Sequence, residues 1–266
     1  MEYKGPNRYT RILEAIFERH YKKGVSEIDF ERAEFTQVAD ELGIVLPKNL
    51  GDVLYSFRYR TLLPKSITSK APKGYEWIIR PAGKGKYKLV IVRQLLIVPS
   101  SVLAETKIPD ATPGVIAAYS LSDEQSLLAK LRYNRLIDIF TGLTCYSLQS
   151  HLRTTLRDGS QVETDEIYVG LDKRGAHYVL PVQAKGGKDR IGIVQIEQDF
   201  ELSGIKFPNL VCRAIAAQFM EGNLIALFEF EQTNEGIKVS SEKHYRLVQP
   251  DELTAEELQS YSVRQS

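Results

Sequence analysis

The chain reads as an α/β protein in two parts, a small helical part closed by a strand pair and a larger part with a central mixed sheet flanked by helices. Three observations predict this. Up to about residue 92, three segments of helical periodicity come first and two strand-like runs follow. From 93 to 120, Pro99, Pro109, Pro113 and Gly114 stand among serines and threonines, the punctuation of a connection between domains. From 121 to 266, a helix, a strand pair, another helix and further strands follow in the order of a layered α/β architecture. With 266 residues, 43% hydrophobic and 26% charged, the chain has the length for one large or two medium globular domains.

Residues 8 to 22 place Ile12, Leu13, Ile16 and Phe17 on one helical face, with Gly24 as the stop. AEFTQVADEL, 33 to 42, keeps the period through Phe35, Val38, Ala39 and Leu42 and ends at Gly43. After Pro47, the segment 48 to 60 turns Leu50, Val53, Leu54 and Phe57 inward and leaves Lys48, Asn49, Arg58 and Arg60 outside. The strand-like runs of GYEWIIRPAGKGKYKLVIV then flank a Gly- and Lys-bearing tip. Its Lys84 and Lys86 can approach a phosphate backbone closely.

Ser122 and Gln125 form a capping-box pattern for a helix to about 139, striped by Leu127, Leu128, Leu131, Leu136 and Ile137 and ended by Gly142. A strand over 145 to 156 follows, with His151 available to phosphate or to solvent. VETDEIYVGLDKRGAHYVLPVQAKGG, 162 to 187, is a β-hairpin about the turn Asp172 to Gly175. A helix covers 191 to 202, where Gln195 and Asp199 lie one turn apart and could face the site, though ordinary exposed pairs share that spacing. Beyond Pro208 come buried and half-buried strands, and DELTAEELQS closes the chain as an exposed helix.

The hairpin holds the candidate chemistry. Alternation puts Glu163 and Asp165 on one face of its first strand, and Gln183 and Lys185 on one face of its second. Folding about the turn sets Asp165 opposite residue 182 or 183, so Asp165, Gln183 and Lys185 can converge. A glutamine and a lysine at the end of the apolar run HYVLPVQAK would be costly to bury without partners. Carboxylate and amide oxygens are hard ligands suited to Mg2+, and a lysine beside such a cation can orient a water. Two glycines after the strand, Gly186 and Gly187, let the backbone approach a ligand, where Lys188 and Arg190 could hold a phosphate. A mixed polar hairpin with a solvated turn is the plainer alternative.

An aspartate, a hairpin and then (Asp/Glu/Gln)-x-Lys resembles the active site of the PD-(D/E)XK nuclease superfamily, with Gln183-Ala184-Lys185 as its second half. Gln183 departs from the usual pattern, bringing an oxygen without its charge. Glu163, or Glu124 on the helix that in this superfamily commonly precedes the hairpin, could restore it. Pro109-Asp110 spells the literal PD, but the gap to Gln183 could not form a hairpin, and the pair reads as linker. Three helices before a basic hairpin resemble a winged helix-turn-helix domain over residues 1 to 92, with 48 to 60 as the recognition helix.

The resemblance implies a restriction-endonuclease-like core over 121 to 266 behind a 93 to 120 linker. It implies a Mg2+-dependent DNA endonuclease of the Type II restriction or a related defence kind. Asp165, Gln183 and Glu163 would hold one or two Mg2+ ions, Lys185 would position the water, and Glu124 would add a further acid. Lys48, Asn49, Arg58, Arg60, Lys84, Lys86, Lys188 and Arg190 would hold double-stranded DNA, and double-strand cleavage would call for a homodimer. The alternative is a non-catalytic DNA-binding regulator with a degenerate nuclease domain.

The remaining signals exclude more than they identify. A net charge of +1 argues neither for nor against nucleic acid, since phosphate contact needs only one basic face. Cys145 and Cys212 lack metal-ligand spacing, and the four histidines show no signature around a nucleophile. KLVIVRQLLIVPSSVLA is broken by Arg93, Gln94 and Pro99, too early for a membrane span, so no membrane and a cytoplasmic location are expected.

Overall fold

The computed structural model describes residues 8–48, 50–59, 63–93, 97–119, 124–156, 161–186, 189, 191–234 and 236–263. They form two compact units, residues 1–96 with 153–162 and residues 97–152 with 163–266.

The first unit runs α1 (Arg8–His20), β1 (Glu27–Glu31), α2 (Arg32–Glu41), α3 (Leu50–Tyr59), α4 (Lys65–Thr68), β2 (Tyr75–Pro81) and β3 (Lys86–Arg93). Its antiparallel sheet has the order β1-β3-β2. The apolar stripes read from the sequence are the ones that bury: Ile12, Leu13, Ile16 and Phe17 pack with Phe35, Val38, Leu54 and Phe57 and with Trp77, Ile79 and Leu89 of the sheet. The strand β1 is an addition to the expected elements. Five residues, EIDFE, make too short an alternation to stand out, yet Ile28 and Phe30 enter the core while the three acids stay outside. Those acids answer the lysines of β3: Lys88 pairs with Glu27, and Lys86 lies 3.9 Å from Glu31.

The second unit is an α/β layer structure. It runs β4 (Glu105–Pro109), α5 (Gly114–Tyr119), α6 (Glu124–Tyr133), α7 (Leu136–Thr141), β5 (Thr144–Thr155), β6 (Gln161–Leu171), β7 (His177–Lys185), α8 (Ile193–Lys206), β8 (Val211–Cys212), β9 (Ala214–Phe219), β10 (Leu224–Thr233), β11 (Gly236–Val248) and α9 (Ala255–Val263), with the end of β5 from Arg153 and the start of β6 to Val162 counted in the first unit. The mixed eight-stranded sheet has the order β4-β11-β10-β9-β7-β6-β5, with β8 beside β7. β7 and β9 are parallel neighbours, which requires a crossover, and α8 makes it. Burial on both faces of the sheet explains why β9 is apolar from Ala214 to Ala217. Among the described residues, no helix is long and apolar enough to cross a membrane.

Two expectations are corrected here. The stretch 93 to 120 is not all linker, because β4 pairs in parallel with β11 from His244 opposite Glu105 to Val248 opposite Pro109. Pro109 closes this edge strand, where a missing N–H is tolerated. The helix expected to run to about 139 breaks into α6 and α7 at Asn134 and Arg135, whose φ of 49° is left-handed. Asn134 turns inward, accepting the Ala111 N–H at 2.7 Å and donating to Thr112 Oγ1 at 3.0 Å, so side-chain bonds outside the helix win over its continuation. Ser122, half of the expected capping box, lies outside the described residues.

The hairpin core packs tightly at Gly170. A Cβ there would meet Leu180 Cδ1 at 3.0 Å and Leu143 Cδ1 at 3.1 Å. Gly170→Ala is therefore expected to destabilise by roughly 1–3 kcal/mol through overpacking, seen as a lower urea midpoint with unchanged slope. An unshifted midpoint would show that these leucines yield freely.

Candidate functional site

The β6–β7 hairpin is built by its turn. Asp172 Oδ1 accepts the N–H groups of Arg174 at 2.8 Å and Ala176 at 2.9 Å, and Gly175 takes a left-handed φ of 82° that a side chain would resist. The ladder this turn sets pairs Leu171 with His177 through to Glu166 with Val182. Of the two alternative registers, this is the one that carries Asp165 toward Gln183. Beyond the last pair, Asp165 Oδ2 accepts the Ala184 N–H at 2.8 Å.

Lys185 comes to the same carboxylate. Its Nζ lies 3.7 Å from Asp165 Oδ2 and donates to Glu124 Oε1 at 2.9 Å. Three side chains from β6, β7 and the first turn of α6 thus converge, with Lys185 and Asp165 nearly buried and Glu124 more open. Burial raises the Asp165 carboxyl above its ordinary value, against the Lys185 ammonium and the Ala184 N–H, which favour its charged form. Chemically this is a pair of hard oxygen donors about a single cation.

Gln183 is engaged differently from the expectation. It is fully buried, and its Nε2 donates to Asp199 Oδ2 at 3.0 Å and Oδ1 at 3.1 Å and to the Glu163 carbonyl at 3.3 Å. Its Oε1 accepts from Gln195 Nε2 at 3.3 Å. Both ends of the amide that was expected to face a metal are therefore tied to α8. Thr164 Oγ1 also donates to Asp199, at 2.6 Å. Gln195 and Asp199, legible only as a one-turn pair, prove to be the polar lining of α8 where it covers the hairpin. Burial pushes the Asp199 carboxyl up to about 7, despite the hydrogen bonds of Thr164 and Gln183 that favour its charge.

Glu163 stands apart from the Asp165 group in its ion pairing, with Oε1 3.5 Å from His151 Nδ1. His151 also meets Gln125, the neighbour of Glu124, and holds a left-handed φ of 49° inside β5. A non-glycine residue in that conformation marks local strain. No sequence pattern announces it.

The candidate DNA contacts are distributed as follows. Lys48, Lys84 and Lys86 are exposed and Arg58 is half-buried, all in the first unit. Asn49, Arg60, Lys188 and Arg190 lie outside the described residues. Among the described residues, no group of three or more His, Cys, Asp or Glu side chains is gathered closely enough to hold a metal ion unaided. Comparison with protein-family models, with curated proteins and with solved structures found no match to this chain.

Proposed function

We propose that this chain is a Mg2+-dependent DNA endonuclease, its second unit a PD-(D/E)XK nuclease-like domain and its first a winged-helix-like DNA reader. The observation that carries this reading is the Lys185 ammonium held by two carboxylates from separate elements, Glu124 and Asp165. The order α6, α7, β5, β6, β7, α8, β8, β9 supports it, with a glutamate-bearing helix ahead of the hairpin. In the first unit, α1, α2 and α3 followed by the β2–β3 hairpin support the reader, with exposed lysines at its tip.

Two carboxylates already gathered about one positive group are a donor set that fits a divalent cation. Asp165 and Glu124 would hold it. When bound, the cation stabilises charge on the phosphorus and acidifies a water. Lys185 would orient that water, and Gln183 locks β7 to α8 through Asp199 and Gln195. Glu163, paired with His151, stands outside the donor set. One such site cuts one strand, so double-strand cleavage calls for a second copy.

The test is incubation of the purified chain with a wide panel of DNAs and Mg2+. A wild-type protein that leaves all of them intact, plasmid and genomic alike, defeats the reading. A second reading, a DNA-binding regulator with a degenerate nuclease domain, is favoured by one observation: the residue at 183 is an amide already engaged by α8. It predicts DNA binding without cleavage. Either way, Lys84→Glu combined with Lys86→Glu is expected to weaken duplex binding and to flatten the log K against log salt line by about 1–2, since each lost phosphate contact contributes about 0.9. An unchanged slope would remove the hairpin tip from the interface.

A further inference from the structure

We propose that Lys185 is the resident counter-cation of the site and the direct competitor of the divalent cation, so that cation and DNA bind with positive coupling. This rests on the nuclease reading above and adds to it a role for Lys185 in the DNA-free protein.

The geometry points to competition. The ammonium is 2.9 Å from Glu124 Oε1 and 3.7 Å from Asp165 Oδ2, the same two carboxylates that would receive the metal. The lysine side chain is 9% exposed and that of Asp165 10%, so bulk water does little to screen charges placed there. Among the described residues, Lys185 is the cation in ion-pair contact with both carboxylates. A doubly charged ion arriving at these oxygens meets the ammonium at contact range. The repulsion is relieved only if the ammonium moves away or more negative charge arrives.

A DNA phosphate does both. Its anionic oxygens accept the ammonium as donor and add negative charge beside the incoming metal. Glu124, with a side chain 37% exposed, leaves the approach open on the α6 side. By linkage, whatever factor DNA adds to cation affinity, the cation returns to DNA affinity. The free protein then holds its metal weakly, and the site completes itself on the substrate.

The experiment is calorimetric titration of Mn2+ into the full chain, with wild type, Lys185→Met and Asp165→Asn. Lys185→Met is expected to bind Mn2+ about tenfold tighter or more than wild type, and Asp165→Asn more weakly. A pool of short mixed-sequence duplexes is expected to raise the Mn2+ affinity of wild type more than that of Lys185→Met. Removing the lysine leaves two carboxylates without their partner, so thermal unfolding provides a second readout on Lys185→Met and Lys185→Gln. Mn2+ is expected to raise their unfolding temperatures more than it raises that of wild type. Equal or weaker Mn2+ binding by Lys185→Met overturns the competition and leaves the nuclease reading standing. So does a pair of variants that stay unfolded with Mn2+ present. Absence of Mn2+ binding by every form, with and without DNA, overturns both.

Discussion

Asp165→Asn is expected to abolish Mg2+-dependent cleavage while leaving the fold intact. The substitution keeps an oxygen for the Ala184 N–H, which Asp165 Oδ2 accepts at 2.8 Å, so the local backbone retains its partner. What disappears is the charge, and with it half of the carboxylate pair that would hold the cation. A bound cation supplies several kcal/mol of transition-state stabilisation, and each ~1.4 kcal/mol is a factor of ten in rate, so a loss of ~10³-fold or more is expected. Lys185→Met is expected to cost ~10²–10⁴-fold through loss of the group that orients the attacking water. Because both act on one event, the double variant should be hardly slower than the worse single one. Cleavage measured under single-turnover conditions decides. If Asp165→Asn cuts as fast as wild type, the hairpin is not where the chemistry happens. A well-folded Asp165→Asn protein with slow cleavage but unchanged duplex binding in the absence of divalent cation would place the defect in the cation-dependent step.

The parts of this molecule that the sequence revealed share one property: their information is local and repeated. The stripe of α1 from Ile12 to Phe17 holds one face over nearly two turns, and the β6–β7 hairpin carries its own turn chemistry in Asp172 and Gly175. Asp165 and Lys185 followed, because alternation and one turn suffice to bring them together. Glu124 needed the resemblance, since nothing between residues 124 and 185 fixes where α6 starts relative to β7. β1 was too short to show a period, and β4 owes its strand to a partner, β11, more than a hundred residues away. The same limit hid the role of α8. The one-turn spacing of Gln195 and Asp199 allows a site-facing pair or an exposed one, and only the sheet beneath them, presenting Gln183 and Thr164, decides between the two. His151 is the opposite case, a residue whose left-handed backbone accompanies contacts with Gln125 and Glu163 and is announced by no feature of its own segment.

Asp199→Asn is expected to stabilise the protein above neutral pH, a rare direction for a buried substitution. Asp199 is 1% exposed, and its carboxyl is pushed up to about 7 from an ordinary 3.8, chiefly by burial. In the unfolded chain it ionises near pH 3.8, whereas the folded protein keeps the proton until about pH 7. Between those values the folded state binds more protons, so its stability falls as pH rises through the window, and the full penalty is present above it. A shift of that size corresponds to about 4 kcal/mol as an upper bound. Asparagine removes the charge and keeps an acceptor for Thr164 Oγ1. The remaining conflict is between the new Nδ2 and the Gln183 Nε2 that now donates to Asp199 Oδ2. Turning the Gln183 and Gln195 amides over together relieves it, because the Gln183 oxygen then accepts from the asparagine and its nitrogen donates to Gln195 Oε1, a buried atom with no partner among the described residues, at the cost of the bond to the Glu163 carbonyl. Urea unfolding of both proteins at pH 8, pH 6 and pH 4 isolates Asp199, because every other titrating group is common to the two. A variant more stable at pH 8, with the advantage shrinking toward pH 4, is the expected pattern. A variant less stable at pH 8 would mean that the carboxylate is ionised and held by donors stronger than Thr164 and Gln183, which would make α8 part of a charged site.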